Sequence, residues 1–288
     1  MAGRRESSNY GSGAVTNPSD WSGGLAPLAH YRELNREECH IAATLYSLML
    51  NDRPGLRALL EEACGVPCTP VEAEQARVWF EFTFLRDWWH ALESEEQKRA
   101  ALRFLLDAVE PWADDPDAGG VAERIAGLCA LAARELNALF STRPSRTTVE
   151  SPARWSTGVI LDRLSEHPGL ARRAVLLAWS FRIKPDIVVT MGPDRAVVFE
   201  AKWDSPEDKY RCPAIGLTRG QMQLQRDVFT RLLGLPPDRV HSVLLARRPR
   251  RHAAGAEPVV TWPQAFGCFA GASSPAVRAV LPDAAVRG

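Results

Sequence analysis

The apolar positions of this chain change their period near residue 148. Before that point they recur at helical spacing. Over residues 31–49, Leu34, Ile41, Leu45 and Leu48 share one helix face, and Glu38 lies on the same stripe. Asn51-Asp52-Arg53-Pro54 predicts the end of that helix. Further helices are predicted over 56–64, 70–92, 95–109 and 121–140, divided by stretches rich in Gly, Pro, Ser and acidic residues. Trp79, Phe80, Phe82, Phe84, Trp88 and Trp89 mix helix faces, which predicts a helix at 70–92 buried on more than one side.

After residue 148, short β-branched runs take over. A helix at 154–165 is followed by predicted strands at 173–179, 183–190 and 196–203. The last two flank Gly192-Pro193-Asp194-Arg195, whose residues favour a tight turn, so they read as an antiparallel hairpin. A polar loop over 204–219 leads to a helix at 221–233, stopped by Gly234. A strand at 240–246, a short strand at 259–262 and a helix at 263–269 complete the pattern. The expected organisation is a flexible tail (1–27), a first core helix (28–53), a mostly helical insertion (54–147) and an α/β core (148–288).

The hairpin carries the chemistry. Asp186 stands at the start of its first strand, and Glu200 and Lys202 stand at the end of its second. Alternation along a strand puts Glu200 and Lys202 on one face and Ala201 on the other. Two acids at the end of an apolar hairpin are unfavourable to bury without a partner, and a divalent metal would supply one. Asp186 shares their face only if it pairs in register with Glu200 or Lys202. A five-residue loop at 192–196, or a bulge, satisfies this by setting Asp186 against Lys202. A four-residue loop without a bulge would set Asp186 against Ala201 and split the site.

Pro185-Asp186 and Glu200-Ala201-Lys202 resemble the signature of the PD-(D/E)xK nuclease superfamily, the restriction-endonuclease-like phosphodiesterases. The resemblance covers about residues 148–250 and one N-terminal helix. It implies an α/β fold with a restriction-endonuclease-like core, a central mixed sheet flanked by helices. It implies a Mg²⁺-dependent endonuclease, with Mn²⁺ able to substitute. Asp186, Glu200 and the Ala201 carbonyl would hold the metal, and Lys202 would position the attacking water. Many members carry an acid on an earlier helix. Glu38 is the candidate for it, with Glu37 the fallback and surface solvation of Glu38 the competing reading. Several branches place a glutamine on the helix after the ExK strand. Gln221 matches more closely than Gln225, with simple capping of the first turn as the alternative. The resemblance most often implies a role in prokaryotic defence against foreign DNA.

Composition adds four points. The net charge is zero, yet residues 1–150 carry 15 Lys+Arg against 23 Asp+Glu, and residues 151–288 carry 20 against 12. The basic half holds the acid–lysine group, and a positive surface suits a polyanion. Arg247, Arg248, Arg250 and Arg251 fall within five residues and are candidates for phosphate contact, DNA in preference to RNA. The six cysteines are scattered, and Cys64 and Cys68 have no second pair to complete a zinc site, so reduced thiols in a cytoplasmic protein are expected. No apolar run reaches the ~18 residues that span a bilayer. The helical insertion is a candidate surface for a second copy or a partner subunit. Against the hydrolase stand two other readings: a catalytically inactive protein of this fold that binds nucleic acid or a protein partner, and an unrelated α/β protein in which Lys202 pairs with Asp186.

Overall fold

A computed structural model describes residues 38–111, 120–145, 147–203, 207–248 and 258–280. Its centre is a five-stranded mixed sheet. The strands are β1 (Arg77–Phe80), β2 (Ile187–Met191), β3 (Arg195–Ala201), β6 (Val240–Ala246) and β7 (Val259–Thr261), in the order β1-β2-β3-β6-β7. β1, β2 and β3 pair antiparallel, and β3, β6 and β7 run parallel. A separate two-stranded ribbon, β4 (Lys209–Cys212) and β5 (Leu217–Gly220), lies between β3 and the helix that follows.

Alternation along the strands gives the sheet two apolar faces, which puts helices on both sides. Ile187, Val189, Met191, Val197, Phe199, Ala201, Val243 and Leu245 pack with α1 (Glu38–Asn51) and α2 (Arg53–Ala58). The same cluster takes in α11 (Trp262–Gly267). α1 buries Ile41, Leu45 and Leu48, the stripe its sequence predicts. The opposite face offers Val188, Ala196, Val198 and Val240 to Phe229, which lies just past α10 (Gln221–Asp227) in a widened helical turn, Val228–Leu232. α10 also presents Leu224, followed by Val228 and Leu232, to a second core built from the helices between β1 and β2.

The structure corrects several expectations. The 70–92 segment is not one helix. α3 (Pro70–Gln75) is capped by Thr69 and Glu72, and the chain then extends as β1 before α4 (Phe84–Ala91). Trp79 and Phe80 therefore lie on an edge strand, where Phe80 stacks on Tyr46 at 5.4 Å. β1 belongs to the central sheet, and α2 and α3 join its core. The helical block that remains apart from the sheet begins after residue 83 and ends later than 147. Residues 173–179 are not a strand but part of α9 (Pro168–Ser180). Eleven of its 13 residues are buried, so its apolar run lacks a one-sided period, and Pro168 in the first turn suits a helix start. The 121–140 segment breaks into α6 (Val121–Ala130) and α7 (Ala133–Ala138). The expected loop at 204–219 contains the β4–β5 ribbon. The 154–165 helix shortens to α8 (Thr157–Arg163), while α5 (Glu95–Ala108) and β6 match their expected bounds closely.

Among the described residues no helix is long and apolar enough to cross a membrane. The described cysteines are all free, Cys64 and Cys68 included. Residues 1–27, Glu37, Arg250 and Arg251 lie outside the described residues.

Candidate functional site

The hairpin between β2 and β3 sets the site. Its ladder pairs Ile187 with Phe199 and Met191 with Arg195, closing over a three-residue turn in which Gly192 takes φ 68°. That backbone region suits glycine. One step further along this register, Asp186 stands opposite Glu200. The loop is shorter than the five-residue option by one pair, so the parity survives and both acids share a face. Ala201 points the other way, into the α1 side of the core. Its N–H donates to Asp186 Oδ2 at 2.7 Å, which fixes the first carboxylate against the second strand.

Glu200 is 2% exposed, and each of its oxygens has a partner. Lys202 Nζ lies 3.0 Å from Oε1, and Gln225 Nε2 donates to Oε2 at 2.6 Å. Gln225 comes from α10, whose start is held by the segment just before β4. Glu207 accepts the Met222 N–H at 2.8 Å, and the Asp208 carbonyl accepts that of Gln221 at 2.9 Å. It is therefore Gln225, one turn into the helix, that meets the acid. Gln221 stands at the helix start, its amide oxygen buried without a hydrogen-bond partner.

Lys202 is fixed at both ends. Its N–H donates to the Leu245 carbonyl at 2.8 Å, extending the parallel ladder by one bond, and its carbonyl accepts from the buried Trp262 indole at 3.2 Å. Its amine also lies 3.7 Å from Asp208. Glu38, at the first turn of α1, accepts the Trp203 N–H at 2.6 Å and acts electrostatically on both Asp186 and Lys202. Arg247, at the end of β6, stacks over the Trp203 ring at 5.3 Å, and Arg248 is exposed. The structure thus brings together Asp186, Glu200, Lys202 and Glu38 with Gln225 and Asp208.

Burial and crowding shape the charges. Burial raises the Glu200 carboxyl, and repulsion from Asp186 adds to it, to about 7 despite Lys202 and Gln225. Burial raises Asp186 as well, with Glu38 adding repulsion, although the Ala201 N–H and Lys202 oppose it. Burial alone would lower the Lys202 amine, but the Glu200 carboxylate outweighs this with help from Glu38 and Asp208, so the amine is held above its ordinary value. Tyr210, on β4, has its phenol raised by burial and by Asp208 and Glu200.

A hard divalent cation is the kind of ion these oxygen donors could take. Two carboxylates face each other, both driven toward protonation, and an oxygen-seeking ion relieves that repulsion. Among the described residues no group of three or more His, Cys, Asp and Glu side chains is disposed to hold a metal. The fit therefore rests on two carboxylates, which suffices for an ion that keeps several waters.

Sequence reasoning did not select Trp262, Trp203, Tyr210 or Glu207. Their links to the site run through backbone groups or across the β4–β5 ribbon, and no spacing encodes these. Comparison of the chain with models of known protein families, with characterised proteins and with solved structures yields no match.

Proposed function

We propose that this chain is a metal-dependent nuclease of the PD-(D/E)xK type, hydrolysing phosphodiester bonds of nucleic acid, DNA in preference to RNA. The observation that carries the reading is the convergence of Asp186 and Glu200 on one sheet face, with Lys202 bound to the second acid at 3.0 Å. An acid pair raised by burial and mutual repulsion is expensive to keep in a fold that only needs stability. The mixed sheet with helices on both faces accords with the restriction-endonuclease-like core.

Asp186, Glu200 and the Ala201 carbonyl would hold Mg²⁺, with Glu38 reaching toward the group from α1. When bound, such an ion polarises a phosphoryl oxygen and makes a water easier to deprotonate. The chain's own residues do the rest. Lys202, held as an ammonium, orients the attacking water and stabilises charge building on the phosphate. Gln225 keeps Glu200 aimed. Arg247 and Arg248, at the end of the neighbouring strand, meet the phosphate backbone on the way in.

A second reading has one observation in its favour. Both Glu200 oxygens are already satisfied, as in a closed ion pair, which suits a protein of this fold that binds nucleic acid without cutting it. Incubating the protein with plasmid, single-stranded DNA and RNA, in Mg²⁺, Mn²⁺ or EDTA, separates the two. Cleavage that requires the ion and disappears in Asp186→Asn and Lys202→Ala supports the nuclease. Retained binding with no cleavage in any ion supports the second reading.

A further inference from the structure

β1 ends in a backbone conformation that few side chains adopt. Glu81 has φ 51° and is the one non-glycine residue among those described with positive φ. Left-handed backbone crowds Cβ against the following carbonyl, so the surroundings must hold such a residue in place. What holds Glu81 is the segment leading into Asp186. Its N–H donates to the Asp186 carbonyl at 2.8 Å, and the next N–H, of Phe82, donates to the Pro185 carbonyl at 2.9 Å. Its carboxylate meets Lys184 Nζ at 2.6 Å and accepts from Cys39 Sγ at 3.8 Å.

The ion pair is half open, with both side chains 40% exposed, and a pair so placed contributes little to stability. Its consequence is where it leaves the amine. Lys184 stands two residues before Asp186 and acts on that carboxylate electrostatically. A cationic side chain there competes with any cation the carboxylate is to hold. Drawn onto Glu81, it is diverted.

We infer that Glu81 is a positioning residue of the site. Its N–H anchors the Asp186 carbonyl, with the Phe82 N–H on Pro185 beside it, and its carboxylate holds Lys184 aside so that the Asp186 carboxylate stays open to a divalent cation. The inference rests on the reading of Asp186 and Glu200 as cation ligands.

The test is Mn²⁺ binding to the full chain, measured by titration calorimetry without substrate. Glu81→Gln keeps the shape and removes the charge, and is expected to weaken Mn²⁺ about tenfold, the loss typical of an outer-layer partner of a ligand. Lys184→Met alone is expected to bind at least as well as the parent protein, and the Glu81→Gln/Lys184→Met double variant to regain parent affinity. A merely structural role for Glu81 would not be rescued by removing the amine. Should Glu81→Gln fail to fold, Glu81→Gly, which suits the left-handed backbone, replaces it. Unchanged affinity in Glu81→Gln, or no rescue in the double variant, overturns the inference and leaves the nuclease reading standing. A parent protein that takes up no Mn²⁺ overturns both.

Discussion

Gln225 Nε2 lies 2.6 Å from Glu200 Oε2, joining α10 to β3 across the sheet. Lys202 takes the other oxygen, so this one carboxylate is held from a helix and from its own strand. Asp186 faces it from the neighbouring strand. A hairpin and a helix that begins 20 residues beyond it must dock correctly before the full set of contacts exists, which makes the site sensitive to residues that touch no substrate.

Gln225 is the first to test. A hydrogen bond to a charged group contributes about 1.5–3 kcal/mol. Gln225→Leu is therefore expected to lower cleavage by about ten- to hundredfold, since each 1.4 kcal/mol is tenfold. Gln221→Ala, one turn earlier, is expected to change it far less. Parallel kinetics on the two variants decide between the glutamines; equal effects would count against the assignment of Gln225.

The raised carboxyls give stability a pH signature. Glu200 titrates near 4.5 in the unfolded chain and at about 7 in the folded one. Between these values the folded protein holds the extra proton, so stability present below pH 4.5 is lost as pH rises through 7. Asp186 shifts in the same direction. The expected loss from Glu200 is on the order of 3 kcal/mol. Melting temperature followed across this range should fall in the parent protein without divalent ions and fall less with Mg²⁺ present. Glu200→Gln should flatten the same interval. A slope that Glu200→Gln leaves untouched would assign the effect elsewhere.

Lys202 is expected to act in the chemistry rather than in holding the ion. Lys202→Met preserves most of the buried stem and removes the charge. Cleavage should fall by about 10²–10⁴-fold, the range of a positioned proton-transfer group, while Mn²⁺ uptake measured by calorimetry persists. Loss of uptake together with cleavage would make the lysine a support for the acids instead.

A fourth expectation concerns how the helical block meets the site. Glu110 is 1% exposed and receives Arg172 Nε at 2.8 Å on each oxygen, with Arg219 of β5 at 3.6 Å. Removing one member of a fully buried pair typically costs about 3–5 kcal/mol; Arg172 and Arg219 stay 21% and 19% exposed, so the loss here is expected toward the lower end. Glu110→Ala should lower stability by that order in urea unfolding. Because Arg219 sits next to Gly220, the start of α10 should loosen as well, visible as faster amide exchange at 221–225. A variant as stable as the parent would show the pair to be dispensable.

Much of this was readable residue by residue. The hairpin strands and β6 follow from short β-branched apolar runs bounded by turn residues, and the stripe of α1 from its helical period, because each signal is complete within a few neighbouring positions. Asp186, Glu200 and Lys202 could be named for the same reason, since acids at the end of an apolar hairpin conflict with their surroundings. α9 was misread because burial on all sides erases the period that would have marked it as a helix. β1 was misread because four residues are too few to outweigh helical neighbours, and an edge strand is stabilised by β2, more than 100 positions away.

Chain order alone established that two acids and a lysine sit at the end of one hairpin and that the half carrying them is basic. Folding decided the rest: a three-residue turn that sets Asp186 against Glu200, Gln225 rather than Gln221 at the carboxylate, and a left-handed Glu81 paired with Lys184. Composition and period are local properties, whereas register and helix rotation follow from minimising buried charge and empty space over the whole core, and no short window of residues contains that sum.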